Sequence, residues 1–208
     1  MCGRFNVVHH PMMRFLQEIT GQNFSVETNL NVAPTEQTPV LVKADSFWDL
    51  RYMRWWLIPY WSKEPTTKYA TFNAKSETLE KSSAFREPFR RRRCILPVSG
   101  YYEWKKTENK KVPYYFTKVD SKDIFLAGIH NQTQFCIITR EAESSNSEIH
   151  HRQPVIIQKS QINNYFNLNN NAVEFLNNIK PPKLKFFEIS TEVNNPAKND
   201  PSIINPVR

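Results

Sequence analysis

The chain has 208 residues, 39% of them apolar and 13% aromatic, which favours one globular domain over residues 2–208, with two small domains as the alternative. This composition excludes an intrinsically disordered chain, and no apolar stretch is long enough to span a bilayer. The formal net charge of +8 favours a polyanionic partner, nucleic acid first, although a basic surface that only aids solubility is the alternative.

The predicted elements are mostly strands. Apolar residues at helical spacing predict a helix over residues 11–21 that ends at Gly21. Runs rich in apolar, aromatic and β-branched side chains predict strands at residues 40–42, 48–56, 94–98, 113–119, 124–129, 135–139, 155–157 and 184–189. Further helices are expected at residues 77–85, 161–166 and 172–179. The last stretch, residues 194–208, contains three prolines and is expected to run extended over the surface.

The order of these elements determines the expected fold class. Few of the predicted strands are separated by a helix long enough to form a crossover, which a doubly wound parallel sheet requires. We therefore predict an α+β fold, with a strand-rich, largely antiparallel or barrel-like sheet flanked by short helices.

The cysteines differ in their surroundings. There are three, an odd number, with no Cys-x-x-Cys spacing, so the sequence indicates neither a disulfide framework nor a zinc site. Cys94 and Cys136 stand in apolar runs and are expected to be buried strand residues. Cys2 has no such apolar surroundings. No metal or organic cofactor is expected.

Cys2 follows Met1 directly, and its small side chain favours removal of Met1. Cys2 would then carry a free α-amine with a pKa of about 7.7–8.0 and a thiol with a pKa of about 8.5, so a useful fraction of each is nucleophilic near neutral pH. Such a 1,2-aminothiol condenses with an aldehyde to an imine, and the thiol then closes a thiazolidine ring. The alternative is an incidental second residue.

Three other segments combine groups that suit proton transfer. Asn73 precedes a cation and a carboxylate just before a predicted helix, although this stretch could be only a capped helix entry. Glu103 stands among three aromatic residues, whose desolvation would raise its pKa, unless it alternates into solvent on a strand. His150, next to a second histidine and an arginine, suits a proton role near pH 7, although such a segment can also be a surface turn.

Together these segments resemble the SRAP family, the SOS-response-associated peptidase fold that processes abasic sites. The family's Cys-Gly-Arg-Phe, Asn-Val-Ala-Pro and Trp-Gly-Leu-Ile-Pro-x-Trp motifs correspond to residues 2–5, 31–34 and 55–61. Its Asn-Ala-Arg-x-Glu-Thr, Gly-aromatic-aromatic-Glu-Trp and His-x-Arg-Met-Pro motifs correspond to residues 73–78, 100–104 and 150–154. Each motif is weak alone, but six in the same order are highly specific.

The resemblance implies a covalent role on damaged single-stranded DNA. Cys2 would form a thiazolidine with the ring-opened aldehyde of an abasic deoxyribose, leaving a stable DNA–protein crosslink. Asn73 would hydrogen-bond around the sugar and the Cys2 amine, and Glu103 would shuttle protons during imine formation and ring closure. His150 would assist sugar ring opening and crosslink reversal. Lyase activity through the imine is a further option.

The resemblance also implies DNA contacts. Arg4, Lys75 and Arg152 would hold phosphates on either side of the lesion, and Trp61 and Trp104 would stack on unpaired bases. The residues at the two ends of the second motif, Asn31 and Pro34, are assigned to the same DNA-binding surface.

Three positions depart from the family pattern. Lys75 replaces an arginine, which keeps the charge but loses the bidentate fork. Trp56 replaces a glycine and is expected to alter the local backbone or the DNA channel, whereas Gln153, in place of a methionine, is expected to matter little. The arginines at 90–93 either lie near DNA or are solvated, and the lysines at 105, 106, 110 and 111 are expected in a hairpin loop.

Two rival functions remain. The first is a cysteine-type peptidase limited to autoprocessing, because Cys2 and His150 are spaced much as in papain-like enzymes, but the flanking Cys-Gly-Arg-Phe does not fit their signature. The second is a non-covalent single-stranded nucleic-acid binding module. The N-terminus lacks the apolar region of a signal peptide, so we expect a cytoplasmic, nucleoid-associated monomer that contacts no membrane.

Overall fold

A computed structural model describes residues 2–44, 47–62, 69–120, 123–169 and 171–207. The strands in these ranges are β1 (Arg4–Val7), β2 (Asn29–Val32), β3 (Gln37–Ala44), β4 (Phe47–Trp55), β5 (Asn73–Lys75), β6 (Arg93–Val98), β7 (Gly100–Lys106), β8 (Lys111–Lys118), β9 (Ile124–His130), β10 (Gln134–Glu141), β11 (Arg152–Pro154) and β12 (Leu184–Glu188). The α-helices are α1 (His9–Thr20), α2 (Arg86–Arg91), α3 (Ile162–Phe166) and α4 (Ala172–Asn178). Short 3-10 helices lie at Ser76–Thr78, Ser144–Glu148, Lys159–Gln161, Thr191–Asn194 and Pro201–Ile204.

The strands form two sheets. The smaller one has five antiparallel strands in the order β12-β8-β7-β1-β2. The larger one runs β11-β10-β4-β3-β6-β9, and β9 also pairs with β10, so five of its strands close into a ring. Its parallel pairs are β4 with β10 and β5 with β10. The prediction of a strand-rich, largely antiparallel or barrel-like α+β fold is therefore confirmed.

An aromatic cluster joins the two sheets. Trp55 is fully buried, lies 4.8 Å from Phe5 of β1 and stacks on Phe135 of β10 at 6.3 Å between ring centroids. Its indole Nε1 donates to the carbonyl of Phe72 at 2.8 Å, which satisfies the one polar group of this side chain. The cluster thus fixes β1 against the larger sheet and sets the backbone just before Asn73.

The register between β1 and β7 brings the beginning of the chain to Glu103. Arg4 pairs with Tyr102 in an antiparallel ladder, so the residues before Arg4 run alongside the residues after Tyr102. Cys2 therefore lies next to the Glu103 region of β7.

Most long predicted elements are confirmed, including α1, which ends at Gly21 in the left-handed conformation with φ of 72°. The helix expected at 77–85 is wrong, because a 3-10 turn at Ser76–Thr78 is followed by further turns and α2 begins only at Arg86. The strand expected at 155–157 is displaced, since the ladder with β10 lies at Arg152–Pro154 and Ile156 forms only an isolated bridge to Leu126.

The C-terminal stretch is more structured than an extended surface chain. It contains the 3-10 helix Pro201–Ile204, and Ile203 is fully buried against a small cluster that includes Tyr102. None of the helices in the described ranges has the length and apolarity required to cross a bilayer.

Candidate active site

Asn73 ties the segment that carries Cys2 to the larger sheet. Its Nδ2 donates to the main-chain carbonyl of Cys2 at 2.7 Å. Asn73 is buried and is the first residue of β5, where it pairs with Ile137 of β10. The carboxamide therefore fixes the main chain of Cys2 from one side.

The Cys2 thiol is fully buried, and its Sγ lies 3.9 Å from the carbonyl oxygen of Arg4. Burial raises the pKa of this thiol far above its ordinary value, and the nearby Glu103 carboxylate raises it further. The expectation of a useful thiolate fraction near neutral pH is therefore wrong for this environment. The thiol is protonated there and needs a proton acceptor when it attacks.

Glu103 is suited to accept and to donate a proton. It lies in β7 with only 3% of its surface exposed, opposite Tyr114 of β8. Burial raises its pKa to about 7, because the ionised carboxylate loses hydration. Near neutral pH both protonation states are populated, which is the condition for a proton shuttle. The alternative of a solvated carboxylate on a strand is wrong.

His150 is half-buried. Burial lowers its pKa to about 4, so the ring is neutral at physiological pH. The main-chain N–H of Arg152 donates to Nδ1 at 3.0 Å, and since an N–H can only donate, this contact places the ring proton at Nε2. The Arg152 carbonyl, at 3.2 Å from Nδ1, is the longer contact and would need the other tautomer.

Glu103 and His150 line one cleft of about 780 Å³. The rings of Phe72 and Trp104 and of His151, which stacks on His150, also line it. The rest of the lining comes from the β7–β8 hairpin, the segment before His150 and the C-terminal segment: Lys105, Lys106, Lys111, Ser147, Glu148, Ile149 and Asn194. Within the described ranges, no three His, Cys, Asp or Glu side chains come together as metal ligands would.

Arg4 and Asn31, which the resemblance assigns to DNA, bind the protein's own chain. Asn31 is buried, and its Nδ2 donates to the carbonyls of Val193, Asn195 and Lys198 at 3.3, 2.9 and 2.9 Å. Arg4 Nη1 donates to Asn31 Oδ1 at 2.7 Å and to the Val193 carbonyl at 3.0 Å. Asn31 therefore positions the C-terminal segment rather than a ligand.

Arg152 is also committed internally. Its guanidinium is 6% exposed, forms a bidentate pair with Glu77 at 2.8 and 2.9 Å and donates to the Thr139 carbonyl at 2.7 Å. These contacts fix the strand that follows His150. The phosphate contact expected from Arg152 stays a prediction, since most of its guanidinium bonds are made within the protein.

The remaining predicted contacts are spread over the surface. Lys75 is exposed at the end of β5, and Pro34 is half-buried. Trp61 is 47% exposed and meets Tyr60 edge to face at 4.9 Å, away from the cleft lining, whereas Trp104 lines the cleft. Trp56, the residue in place of the family's glycine, packs on Phe72 at 5.3 Å and so backs a cleft wall.

The arginines at 90–93 do not form a free basic patch. Arg90 pairs with Glu80 at 2.6 Å and Arg91 with Glu87 at 3.2 Å. Arg93 is buried, and its guanidinium donates to the carbonyls of Phe89, Tyr165 and Asn167. The cations that line the cleft are instead Lys105 and Lys106 of β7 and Lys111 of β8, so the expectation that these lysines lie in a hairpin loop is wrong.

The model of the SOS response associated peptidase (SRAP) family matches residues 1–196 of this chain. The chain belongs to the SRAP family. Among SRAP relatives, the abasic site processing protein YoqW of Bacillus subtilis (strain 168) is 30% identical, covering 98% of this chain and 99% of that protein. The abasic site processing protein YMR114C of Saccharomyces cerevisiae is 27% identical over 87% of this chain and 53% of that protein.

A solved Bacteroides thetaiotaomicron protein superimposes with a TM-score of 0.82 at 23% identity over 100% of both chains, so the two proteins share a fold. The resemblance inferred from the six motifs is thereby confirmed at the level of family and fold.

Proposed function

We propose that this SRAP protein processes abasic sites in single-stranded DNA by forming a thiazolidine crosslink through Cys2 after Met1 is removed. The observation that carries the proposal is the hydrogen bond from Asn73 to the Cys2 carbonyl, together with Glu103, whose charge acts on the Cys2 thiol and which lines a cleft with His150. The names of its relatives as abasic site processing proteins support the same substrate.

The proposed reaction balances without an oxidant or a cofactor. The free α-amine of Cys2 attacks the C1′ aldehyde of the opened sugar and gives a carbinolamine. Its hydroxyl leaves as water and an imine forms. Cys2 Sγ then bonds to the imine carbon, while the thiol proton is transferred to the nitrogen. One water molecule is released for each crosslink formed.

Glu103 would perform the proton transfers in these steps. With a pKa of about 7, its protonated form can donate to the departing hydroxyl. The resulting carboxylate can then accept the proton of the Cys2 thiol, whose pKa is raised by burial. Glu103 is thus the general acid when the imine forms and the general base when the thiazolidine ring closes.

His150 would act before the imine forms. Opening the sugar hemiacetal moves one proton from the C1′ hydroxyl to the ring oxygen. A neutral imidazole with its proton at Nε2 can hydrogen-bond the ring oxygen during this transfer. We propose the same contact for reversal of the crosslink, and elimination from the imine would account for lyase activity.

Both sheets contribute to this site, Glu103 from the smaller and Asn73 from the larger. We therefore propose that residues 2–208 work as one domain.

The pKa values argue against a cysteine peptidase. A thiolate–imidazolium pair requires a lowered cysteine pKa and a charged histidine. Burial here raises the pKa of Cys2 and lowers that of His150 to about 4. Both shifts oppose the charge separation that a peptidase nucleophile needs.

An adduct assay with a single-stranded oligonucleotide containing one abasic site tests the proposal. The wild type should give a band resistant to SDS and heat, and Cys136→Ala, which removes a thiol buried elsewhere, should give the same band. Cys2→Ala keeps the α-amine but lacks the thiol, so it should give an adduct only when borohydride traps the imine. A non-covalent binding module would yield no adduct from the wild type, and Cys2→Ala would bind DNA as the wild type does.

A further inference from the structure

A C-terminal strap, defined as residues 191–199, contributes Asn194 to the lining of the cleft. Most of its side chains are exposed, but the buried Asn31 carboxamide holds three of its carbonyls. The main-chain N–H of Leu30 also donates to Asn199 Oδ1 at 2.7 Å, and Val193 of the strap is fully buried. The strap therefore has a fixed position without covering the cleft.

Asn194 is the strap residue that lines the cleft. Its Oδ1 accepts a hydrogen bond from the indole Nε1 of Trp104 at 2.8 Å. Because the indole N–H can only donate, this bond determines which end of the carboxamide carries the oxygen. The Nδ2 group is left with two donors, and no hydrogen bond joins it to another residue in the described ranges.

The surrounding charges indicate what these donors would meet. Lys105, Lys106 and Lys111 line the same cleft from the β7–β8 hairpin, with Glu103 and Glu148 as the acidic residues among the lining. A nucleic-acid backbone presents a row of negatively charged phosphate oxygens, and both cationic side chains and a fixed amide donor bind such oxygens.

We infer that Asn194 is a substrate-positioning residue whose Nδ2 donates to a backbone phosphate oxygen of the DNA strand beside the lesion. This inference rests on the proposed function for the identity of the strand. Trp104 orients Asn194 through its indole N–H, so the same residue that offers a stacking face also fixes the phosphate donor. Asn194 positions the strand without taking part in the bond-forming steps.

Asn194→Asp tests this role directly. The aspartate keeps an oxygen for Trp104 but replaces the amide donor with a second acceptor. Asn195→Asp is the matched control, since it adds the same charge one residue further along the strap, outside the cleft lining. The aspartate also keeps an oxygen that can accept from the Ala197 N–H, as Asn195 Oδ1 does at 3.1 Å.

Two readouts separate the inference from the proposed function. The first is the Kd for an intact single-stranded oligonucleotide, and the second is the rate of adduct formation on its abasic counterpart over a range of DNA concentrations. Asn194→Asp should raise the Kd and the half-saturating concentration about tenfold and leave the maximal rate and the melting temperature unchanged. Asn195→Asp should remain within about twofold of the wild type in all of these.

Equal weakening by the two aspartates, or no weakening by Asn194→Asp, would overturn the inference, while a wild-type adduct would keep the proposed function. A loss of maximal rate with unchanged half-saturation would assign Asn194 a merely structural role and also overturn it. If the wild type forms no adduct but Asn194→Asp selectively weakens binding of intact DNA, the inference stands and the proposed function fails. A wild type that neither binds nor crosslinks DNA contradicts both.

Discussion

Glu103→Gln should stabilise the protein above neutral pH while it abolishes efficient crosslinking. The pKa of Glu103 is about 7 in the folded chain against an ordinary value of 4.5, a difference of about 2.5 pH units. At 1.36 kcal/mol for each pH unit, the ionised carboxylate lowers the free energy of unfolding by about 3 kcal/mol. Glutamine has a similar shape but no charge, so it removes this penalty.

The sign of the effect depends on pH. Below pH 4.5 the carboxyl is protonated in both the folded and the unfolded state, so it contributes no penalty. Between pH 4.5 and 7 only the unfolded state ionises, so the penalty grows, and above pH 7 it is constant. The difference between Glu103→Gln and the wild type should therefore be about 3 kcal/mol larger at pH 8 than at pH 4.

Urea unfolding at pH 4, 6 and 8 measures this difference. Glu108→Gln is the control, because it makes the same chemical change at a side chain that is exposed in the β7–β8 turn. Crosslinking by Glu103→Gln should fall by about 10²- to 10⁴-fold, the usual range for loss of a general acid–base group. A stability difference that does not change with pH would refute the assignment of Glu103 as a buried, partly protonated carboxyl.

Three further predictions concern the residues that support the site. Asn73→Ala removes the hydrogen bond to the Cys2 carbonyl and should lower the maximal adduct rate about tenfold in single-turnover gel assays, whereas an unchanged rate would exclude this positioning role. Arg152→Ala should lower the free energy of unfolding by about 2 kcal/mol in urea titrations, because Thr139 and the half-exposed Glu77 lose their partner, while Lys75→Ala should change it by less than about 0.5 kcal/mol. Equal stability effects would contradict the internal role of Arg152. Gly100→Ala should lower the free energy of unfolding by about 2 kcal/mol. Gly100 is the first residue of β7, the strand that carries Glu103, and a Cβ on it would collide with the Tyr115 ring. A normal melting temperature would show that the ring can move aside.

Long alternating strands and the first helix could be predicted from the sequence because their apolar periodicity is sustained over several residues. The short strands β1 and β2 were not predicted although both alternate polar and apolar residues, because an alternation of only four residues is too short to indicate a strand by itself. Helix α2 was not predicted because it contains Pro88. A proline is tolerated in the first turn of a helix, but in a sequence it indicates a helix break.

The candidate site was also only partly predictable from the sequence. The motifs and their chemistry indicated Cys2, Asn73, Glu103 and His150, and the structure brings Glu103 and His150 to one cleft and Asn73 to Cys2. Exposure could not be predicted, because Arg152 and Asn31 are polar residues whose partners lie far away in the sequence. Of the cleft lysines, Lys105 and Lys106 share β7 with Glu103, whereas Lys111 is brought there only by the pairing of β8 with β7.

The central claim is tested most directly by intact mass spectrometry of the protein mixed with an abasic single-stranded oligonucleotide. The proposed thiazolidine predicts a protein mass without Met1 and an adduct equal to that protein plus the oligonucleotide minus one water. A crosslinked species that retains Met1, or the absence of any adduct from protein that lacks Met1, would contradict the aminothiol mechanism.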